Sequence, residues 1–389
     1  MTKLYNFDVL IVYSQRLATS AYEKENNNTT PFPKGSRNES YNEVYSYFLD
    51  SCQKIGLKAA LTTSADIVGP GFCRSFWEFN NDQWHKINSP CYSSFIFDKF
   101  SPTTATLKTN RQLLFSLSQI KPFNDPGLFN LFFDKQKTSN SFAQYAIPTV
   151  SLESNNLLSI QTALSALAKL IDRHPNSQDF SSDIIVKDRY GAGGRHVYKF
   201  DSKKLPKILS VITKNNHRSF VIQPFVNFDH GFNHDNNSAA TDIRLVYLNG
   251  EIVQTYIRVA KSGEFRCNEH RGGTLTYIPL SAIPKIVLKM SNLIAKDLNN
   301  KRSLYALDFV ISDNGNAYLL EGNTSPGLDW NLTLKHNEIE AKKLIRLVVQ
   351  QLLIWATPPV ITGPNSKKPY PSYSQTPFLV DTKTTEAIS

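Results

Sequence analysis

The residues best placed to do chemistry lie toward the C-terminal end of the chain. In Leu304-Tyr-Ala-Leu-Asp-Phe-Val-Ile-Ser-Asp-Asn-Gly-Asn-Ala-Tyr-Leu-Leu-Glu-Gly-Asn323, two β-type runs flank Asn314-Gly315. That dipeptide is the strongest short-range signal for a two-residue type I′ turn. With such a loop, Asp308 falls directly opposite Glu321, and Asn323, two residues on, points to the same face. Like charges facing each other on one side of a sheet repel, unless a cation lies between them. Three hard oxygen donors on a rigid hairpin suit Mg²⁺, which favours carboxylates and substrate phosphates over a closed protein cage. The other face would carry Leu307, Phe309, Ile311, Tyr318 and Leu320, an apolar set that can pack into a core. A solvated acidic hairpin is the plain alternative.

A second group of residues suits anions. Lys187 ends a β-type run, and glycines follow at 191, 193 and 194. Glycines let backbone N–H groups approach phosphate oxygens closely, and lysine adds a point charge. The G-x-x-x-x-G-K-[ST] loop is absent, and this loop leads into a strand, so a glycine lid over a triphosphate is expected. Further on, Arg258, Lys261, Arg266, Asn268 and Arg271 fall within fourteen residues and are followed by Gly272-Gly273. They form a concentrated anion site, or else a charged surface loop. Arg244 and Arg258 lie on a hairpin turned at Asn249-Gly250. In its ideal register they project to opposite faces, so both cannot reach one phosphate: either a bulge intervenes or one arginine is structural.

The elements that must position these residues can be read coarsely. Residues 5–13, 58–62 and 93–97 read as strands and 41–56 as a helix, an open α/β arrangement over about 1–125. Residues 19–40 are polar and Asn-rich, and read as a long mobile loop. The segment 64–92 has no clear assignment. Helices are expected from Phe133, over 157–172, over 281–300 and over 337–356, with strands at 184–187, 196–200 and 220–223. Asp229–Ala240 reads as a polar insertion, and 358–389 as a disordered tail. The four cysteines show no metal or disulfide spacing, and the start reads as a buried strand rather than a signal peptide. These features point to a cytoplasmic protein. No apolar run approaches the roughly 20 residues of a membrane span, so no membrane partner is expected. The net charge of +10 comes from scattered lysines. Without an aromatic–basic strip or a recognition helix, nucleic acid is an unlikely partner. An oligomer stays open.

The order of motifs resembles the ATP-grasp superfamily, in its RimK-type amino-acid ligase branch. The motifs are Asp-Lys (134–135), Lys187 with Gly-Ala-Gly-Gly, Ile-Gln-Pro-Phe (222–225), Asp-Ile-Arg (242–244), the 258–273 run, Leu-Asp-Phe (307–309) and Glu-Gly-Asn-x-Ser-Pro-Gly (321–327). The resemblance covers about residues 120–356. It implies an α/β (α+β) ATP-grasp fold behind an N-terminal pre-grasp domain (1–125). The grasp domain would span 126–357, with a lid at about 140–226 and a catalytic subdomain at about 227–357. By resemblance, Lys135, Lys187, Gly193 and Gly194 touch the nucleotide phosphates. Gln223, Pro224 and Phe225 form the adenine hinge, where proline replaces the usual glutamate and has no N–H to donate. Asp242 approaches the ribose. Arg266, Cys267 and Asn268 line the nucleotide, and Arg258, Asn268 and Arg271 are the catalytic candidates. Asp308, Glu321 and Asn323 hold two Mg²⁺ ions, or Mn²⁺, and Ser325-Pro-Gly327 closes the acceptor side. His270 is a candidate base. The implied activity is an ATP-dependent ligase joining a small-molecule or peptide carboxylate to an amine through an acyl phosphate. A catalytically silent ATP-binding module is the rival.

Overall fold

The computed structural model describes residues 3–234, 239–299, 302–324, 326–330 and 334–356. The first part is organised around a short apolar run. After β1 (Tyr5–Asn6), all five residues of β2 (Val9–Tyr13) are buried, as expected of a strand covered on both faces. In α1 (Tyr41–Lys54), Val44, Tyr45, Phe48, Leu49 and Cys52 recur at three- and four-residue spacing and are all buried. Each large apolar side chain so placed contributes roughly 1.5–3 kcal/mol. Gly56, left-handed at φ +78°, closes the helix end. The chain continues through β3 (Ala59–Thr63), β4 (Ile67–Gly69), β5 (Phe72–Cys73), β6 (Phe76–Asn80), β7 (Gln83–Ile87), β8 (Cys91–Tyr92), β9 (Phe95–Lys99), α2 (Ala105–Leu114) and β10 (Lys121–Phe123). The main sheet runs β10-β9-β2-β3-β6-β7, and β1, β8, β5 and β4 make a small second sheet.

Two sequence expectations change here. The unassigned stretch 64–92 supplies β4 to β8. Its β6–β7 hairpin turns at Asn81-Asp82, both left-handed (φ 52° and 58°). Residues 19–40 lack regular structure, but they form a packed strap rather than a loose loop. Phe32 is fully buried against Tyr13 and Tyr45, and Trp77 Nε1 donates to the Thr19 carbonyl at 2.9 Å. The buried Phe32 and Ala21 and the bonds from Ser20 to Asp66 and from Asn42 to the Phe32 backbone hold it in place.

The next part begins with α3 (Pro126–Phe132) and α4 (Lys135–Ser141), whose N-caps are the Asp125 and Asp134 carboxylates. Then come β11 (Val150–Ser151), α5 (Leu157–Asp172), β12 (Phe180–Asp188), β13 (Val197–Asp201), α6 (Leu205–Lys214) and β14 (Phe220–Val226). Their antiparallel sheet has the order β11-β14-β12-β13. Strand alternation divides its faces. Ile184, Val186, Phe220 and Ile222 pack with residues of α5 and α6, while Ile185 and Phe225 belong to a different cluster on the other side.

The last sheet comprises β15 (Thr241–Leu248), β16 (Glu251–Val259), β17 (Thr274–Tyr277), β18 (Leu304–Ile311) and β19 (Ala317–Asn323), in the order β17-β16-β15-β18-β19. Helices α7 (Lys285–Leu298) and α8 (Lys335–Ala356) complete it. One face packs Ile243, Leu245, Leu307 and Phe309 against residues of α3 and α7. The other face is apolar at both ends and charged in the middle. At one end Val246, Leu304 and Ala306 join a core that reaches Val9, Phe48, Phe97 and the α8 residues Leu344 and Val348. That core runs across the domain boundary expected at residue 125. At the other end Val310 meets Ile185 and Phe225. The expected tail 358–389 and Ser325 lie outside the described residues, as does part of the 229–240 insertion.

Candidate nucleotide and metal site

Two bulged hairpins decide which side chains share the charged face. Between β18 and β19 the loop has three residues rather than two. Gly315 N donates to Ser312 O at 2.8 Å, and Ser312 N to Asn316 O at 2.8 Å. Gly315 is left-handed (φ 84°) and Asn314 is not, so this is a type I turn followed by a left-handed glycine. The expected type I′ turn is corrected. Alone, that one-residue shift would turn Glu321 away from Asp308. A bulge at Leu320 restores the register: Phe309 pairs with Leu319, but Asp308 pairs with Glu321 and Ala306 with Asn323. The core set changes accordingly. Ala317 and Leu319 take the places expected for Tyr318 and Leu320, which join Val310 on the opposite side.

Between β15 and β16 the expected turn is present, with Asn249 and Gly250 at φ 54° and 86° and Leu248 paired with Glu251. A bulge at Val253 then moves the ladder by one residue. Arg244 pairs with Tyr256 and Asp242 with Arg258, so both arginines lie on the face that carries Asp308.

Together they form a buried ion cluster. Asp308 is fully buried. Its Oδ1 accepts from Arg244 Nε at 2.6 Å, and its Oδ2 accepts from Arg244 Nη2 and, at 2.8 Å, from Arg258 Nη2. Arg258 also forks onto Asp242 at 2.8 and 2.7 Å. Burial pushes the Asp308 carboxyl up, but the two guanidiniums outweigh it and hold it below the usual carboxylate range. Arg244, left undecided from sequence, joins the site through the bulge at Val253. Its signal is the Asp242-Ile-Arg244 triplet, which places two charged side chains on one face of a strand.

Across from this sheet, the β11-β14-β12-β13 sheet and the glycine loop, expected as the lid, line a cleft. Ile185, Phe225, Phe228, Val310 and Leu320 give it an apolar wall; Lys135, Lys187, Arg258 and Arg266 line it with positive charge. An apolar slot beside gathered cations suits a nucleotide base and its phosphates. Lys187 is buried, and burial together with the nearby Lys135 charge pulls its amine down to about 7, against an opposing pull from Glu321. Lys135 is also lowered by burial, with Glu321, Asp188 and Asp134 opposing, and it donates to the Gly191 carbonyl. Asp134, salt-bridged to Arg189 at 2.7 Å, caps the helix that presents Lys135.

The glycine loop touches the arginine-rich loop directly. A Cβ at Gly194 (φ +65°) would sit 2.5 Å from Asn268 Oδ1, and Arg271 Nε donates to Gly194 O at 3.3 Å. Arg266 reaches the lid at the Val197 carbonyl, 3.4 Å away, and holds Glu264 down at about 2. Gln223, Pro224, Phe225, Asp242, Cys267 and Asn268 line the cleft with Gly193, Gly194 and Glu321. The Gln223 side chain is tied to the neighbouring segment, its Nε2 donating to Thr149 Oγ1 at 2.6 Å. Pro224 pairs only with Ile184 of β12, since β11 ends beside Ile222; its missing N–H is accommodated at that edge. Arg271, Asp308 and Asn323 lie outside the lining. The His270 side chain lies outside the described part of the structure.

The donor set fits a hard divalent ion in kind. Asp308, Glu321 and Asn323 offer two carboxylates and a carboxamide at matched positions on adjacent strands. Gly322 between the last two cannot carry a side chain, since a Cβ would lie 2.3 Å from the Phe132 ring. Among the described residues no group of three or more His, Cys, Asp or Glu side chains could hold a metal. Among them, too, no helix is long and apolar enough to cross a membrane.

Residues 134–348 match the RimK-like ATP-grasp domain, more than half of the chain. The chain belongs to the RimK-like ATP-grasp family. ATP-grasp ligases use ATP and Mg²⁺, and solved structures share the fold over about 90% of this chain. D-alanyl-alanine synthetase A from Vibrio cholerae has a TM-score of 0.54 at 14% identity, over 91% of this chain and 99% of that one. The ATP-grasp ligase PsnB, solved with a phosphomimetic variant of its minimal precursor, Mg and ADP, has a TM-score of 0.51 at 12% identity, over 90% and 99%. In sequence, a probable alpha-L-glutamate ligase of Legionella pneumophila is 28% identical over 146 residues, 38% of this chain and 43% of the relative. One from Shewanella halifaxensis is 29% identical over 147 residues, 38% and 29%. The chain thus spans less than half the length of these curated relatives.

Proposed function

We propose that this RimK-like ATP-grasp protein is an ATP-dependent carboxylate–amine ligase that forms an amide through an acyl phosphate. The reading is supported above all by one juxtaposition. Across a single cleft, the lid offers Lys135, Lys187 and a glycine loop, and the opposing sheet offers Arg258, Asp242 and Glu321, with Asp308 and Asn323 in register behind them.

In this reading the adenine lies against Ile185, Phe225 and Val310, and the phosphates lie between Lys187, Lys135 and Arg266. Two Mg²⁺ ions held by Asp308, Glu321 and Asn323 would neutralise phosphate charge during transfer. The γ-phosphoryl passes to a substrate carboxylate, an amine attacks the resulting acyl phosphate, and phosphate leaves. Arg258, fixed by Asp242, sits where it can stabilise negative charge developing at the acyl centre, with Asn268 and Arg271 ordering the lid above it. No protein nucleophile is required, because the substrates supply both reacting groups.

The acceptor is a peptide, a protein or a small metabolite, and an amino acid is the amine or acyl partner. The test is a screen of amino acids and short peptides for ATP-dependent phosphate release, with product masses. A product heavier by one residue, formed with stoichiometric ADP, is expected. Tight ATP binding with no turnover on any carboxylate would leave only a nucleotide-binding module.

A further inference from the structure

Lys135 and Lys187 line one cleft but arrive from different parts of the fold. Lys187 lies on β12, in the sheet expected as the lid, and Lys135 opens α4, which precedes that sheet. Two ammonium groups brought together in a buried site repel each other, and burial takes hydration from both. Their spacing therefore needs an anchor that does not depend on a bound nucleotide.

The anchor is a contact of three residues with three. Phe133 stacks on Tyr190, their ring centroids 5.3 Å apart. Asp134 accepts a fork from Arg189, through Nε and Nη2 at 2.7 Å each. Lys135 N donates to the Arg189 carbonyl at 3.1 Å, and the Lys135 amine donates to the Gly191 carbonyl. Arg189 is itself fixed to the sheet, its N donating to Ser219 O at 2.8 Å. One residue, two positions beyond Lys187, thus grips both the carboxylate before Lys135 and the Lys135 backbone. Asp134 is buried, and burial pushes its carboxyl up. Arg189 and the N–H groups of Lys137 and Gln136 outweigh that and hold it below the usual carboxylate range. The rest of α4 has ties of its own. Gln136 Nε2 donates to Thr149 O at 3.0 Å, and Ser139 Oγ to Ile147 O at 3.3 Å. These keep the helix docked, so the fork governs only where its first turn sits.

We propose that Arg189 is a positioning residue for nucleotide binding: through Asp134 it holds Lys135 beside Lys187, so that both amines meet one polyphosphate. Neither Arg189 nor Asp134 lines the cleft, so the pair acts through Lys135 and not on the nucleotide. A planar guanidinium on a carboxylate fixes direction as well as distance, which a single hydrogen bond does not. With the fork in place, the two lysines are ordered when the chain folds. Without it, repulsion moves the first turn of α4 outward, and ATP must order that turn again as it binds.

The inference rests on the reading of Lys135 and Lys187 as phosphate ligands, and ATP affinity measured by calorimetry separates the two. Arg189→Met should weaken ATP binding about tenfold. Asp134→Asn, which keeps the helix cap and loses the charge, should weaken it by a similar factor. In a Lys135→Met background neither change should weaken it further, because the fork acts through Lys135. A merely structural ion pair would cost the same factor in both backgrounds. That result overturns the proposal, as does wild-type affinity in Arg189→Met and Asp134→Asn while Lys135→Met binds weakly; the ligase reading survives either one. If Lys135→Met and Lys187→Met both bind ATP as the wild type does, the phosphate assignment and the proposal fall together. If the cycle holds but no carboxylate elicits ADP formation, the ligase reading fails and the positioning role stands. Should Arg189→Met fail to fold, Arg189→Lys and Asp134→Asn carry the same cycle. Arg189→Lys keeps the charge without the fork and should weaken binding by a smaller factor, again only when Lys135 is present.

Discussion

The chain contains Asn-Gly twice between β-type runs, and the two hairpins built on it differ. At Asn249-Gly250 both residues are left-handed and the loop has two residues. At Asn314-Gly315 only the glycine is, and the loop has three. The difference lies in what surrounds each tip. Ser303 holds the first, accepting from Asn249 N at 2.9 Å and donating to its side chain. The second is gripped from the lid side: buried Asp179 accepts from Asn314 at 2.7 Å, from Asn316 at 2.9 Å and from the Tyr318 hydroxyl. Asp313 N adds a bond to the Asn227 carbonyl. Both hairpins then carry one bulge, with opposite consequences for a register counted from the turn. In the first, the bulge moves a correctly turned ladder and brings Arg258 onto the face of Arg244. In the second, it cancels the extra loop residue and returns Glu321 to Asp308. A turn therefore fixes register only as far as the next bulge.

The largest effects separate the two carboxylates of the second hairpin. Asp308→Ala and Glu321→Ala should each cut ADP formation about a thousandfold. Only Asp308→Ala should also lower the unfolding free energy, by about 3–5 kcal/mol, because it strands the Arg244 guanidinium in a buried site while Arg258 keeps Asp242. Denaturant melts and a coupled ADP assay measure both. Wild-type turnover in the double variant would remove the metal assignment altogether.

The availability of Glu321, against the sequestered Asp308, can be read through Lys187. Its amine is at about 7 in the fold against an ordinary 10.5. The unfolded chain therefore binds the extra proton between those values, and stability of the nucleotide-free protein should rise as pH climbs from about 7 toward 10.5, by on the order of a few kcal/mol. Lys187→Met should flatten that rise. Phosphate oxygens favour the charged amine, so ATP binding near pH 7 should take up a fraction of a proton. Calorimetry in two buffers of different ionisation heat detects it. Glu321→Gln, which removes an opposing charge, should increase the uptake.

A smaller effect tests the first hairpin's bulge. Deleting Val253 makes the ladder regular while Asp242 still pairs with Arg258. ADP binding should survive with a stability loss of about 1–3 kcal/mol. Loss of nucleotide binding in a folded variant would show that the bulge does more than set register. The smallest contrast is at the tips. Asn249→Gly should be nearly neutral, since relief of the left-handed backbone offsets the lost 3.3 Å bond from Ser303 N. Asn314→Gly should cost about 1–2 kcal/mol through chain entropy and the lost bond to Asp179.

Much of the fold was legible because periodicity survives in single elements. Helix 157–172 and the 242–259 hairpin follow from spacing and one turn dipeptide, and the ordered motifs carried the family. The stretch 64–92 was not legible. Its strands are two to five residues long, too short for alternation to register, although Pro70-Gly71 and Asn81-Asp82 sit at the tips of its two tight hairpins. In the site, Lys187, Gly194, Arg258 and Glu321 came from residue type and spacing, and Lys135 from the resemblance alone. Arg244 was left undecided, because its face depends on a bulge that no local pattern announces.

By itself the sequence determined the residues that can bind phosphate and metal, their order, and the strands that carry them. Those depend on side-chain chemistry and on periods of two and 3.6 residues, which are local properties. The tertiary structure alone decided that Asp308 is held by two arginines and that Tyr318 faces the lid rather than the core. Bulges and turn types are chosen by contacts from distant parts of the chain, Asp179 and Ser303 among them, and a one-residue shift turns every side chain beyond it.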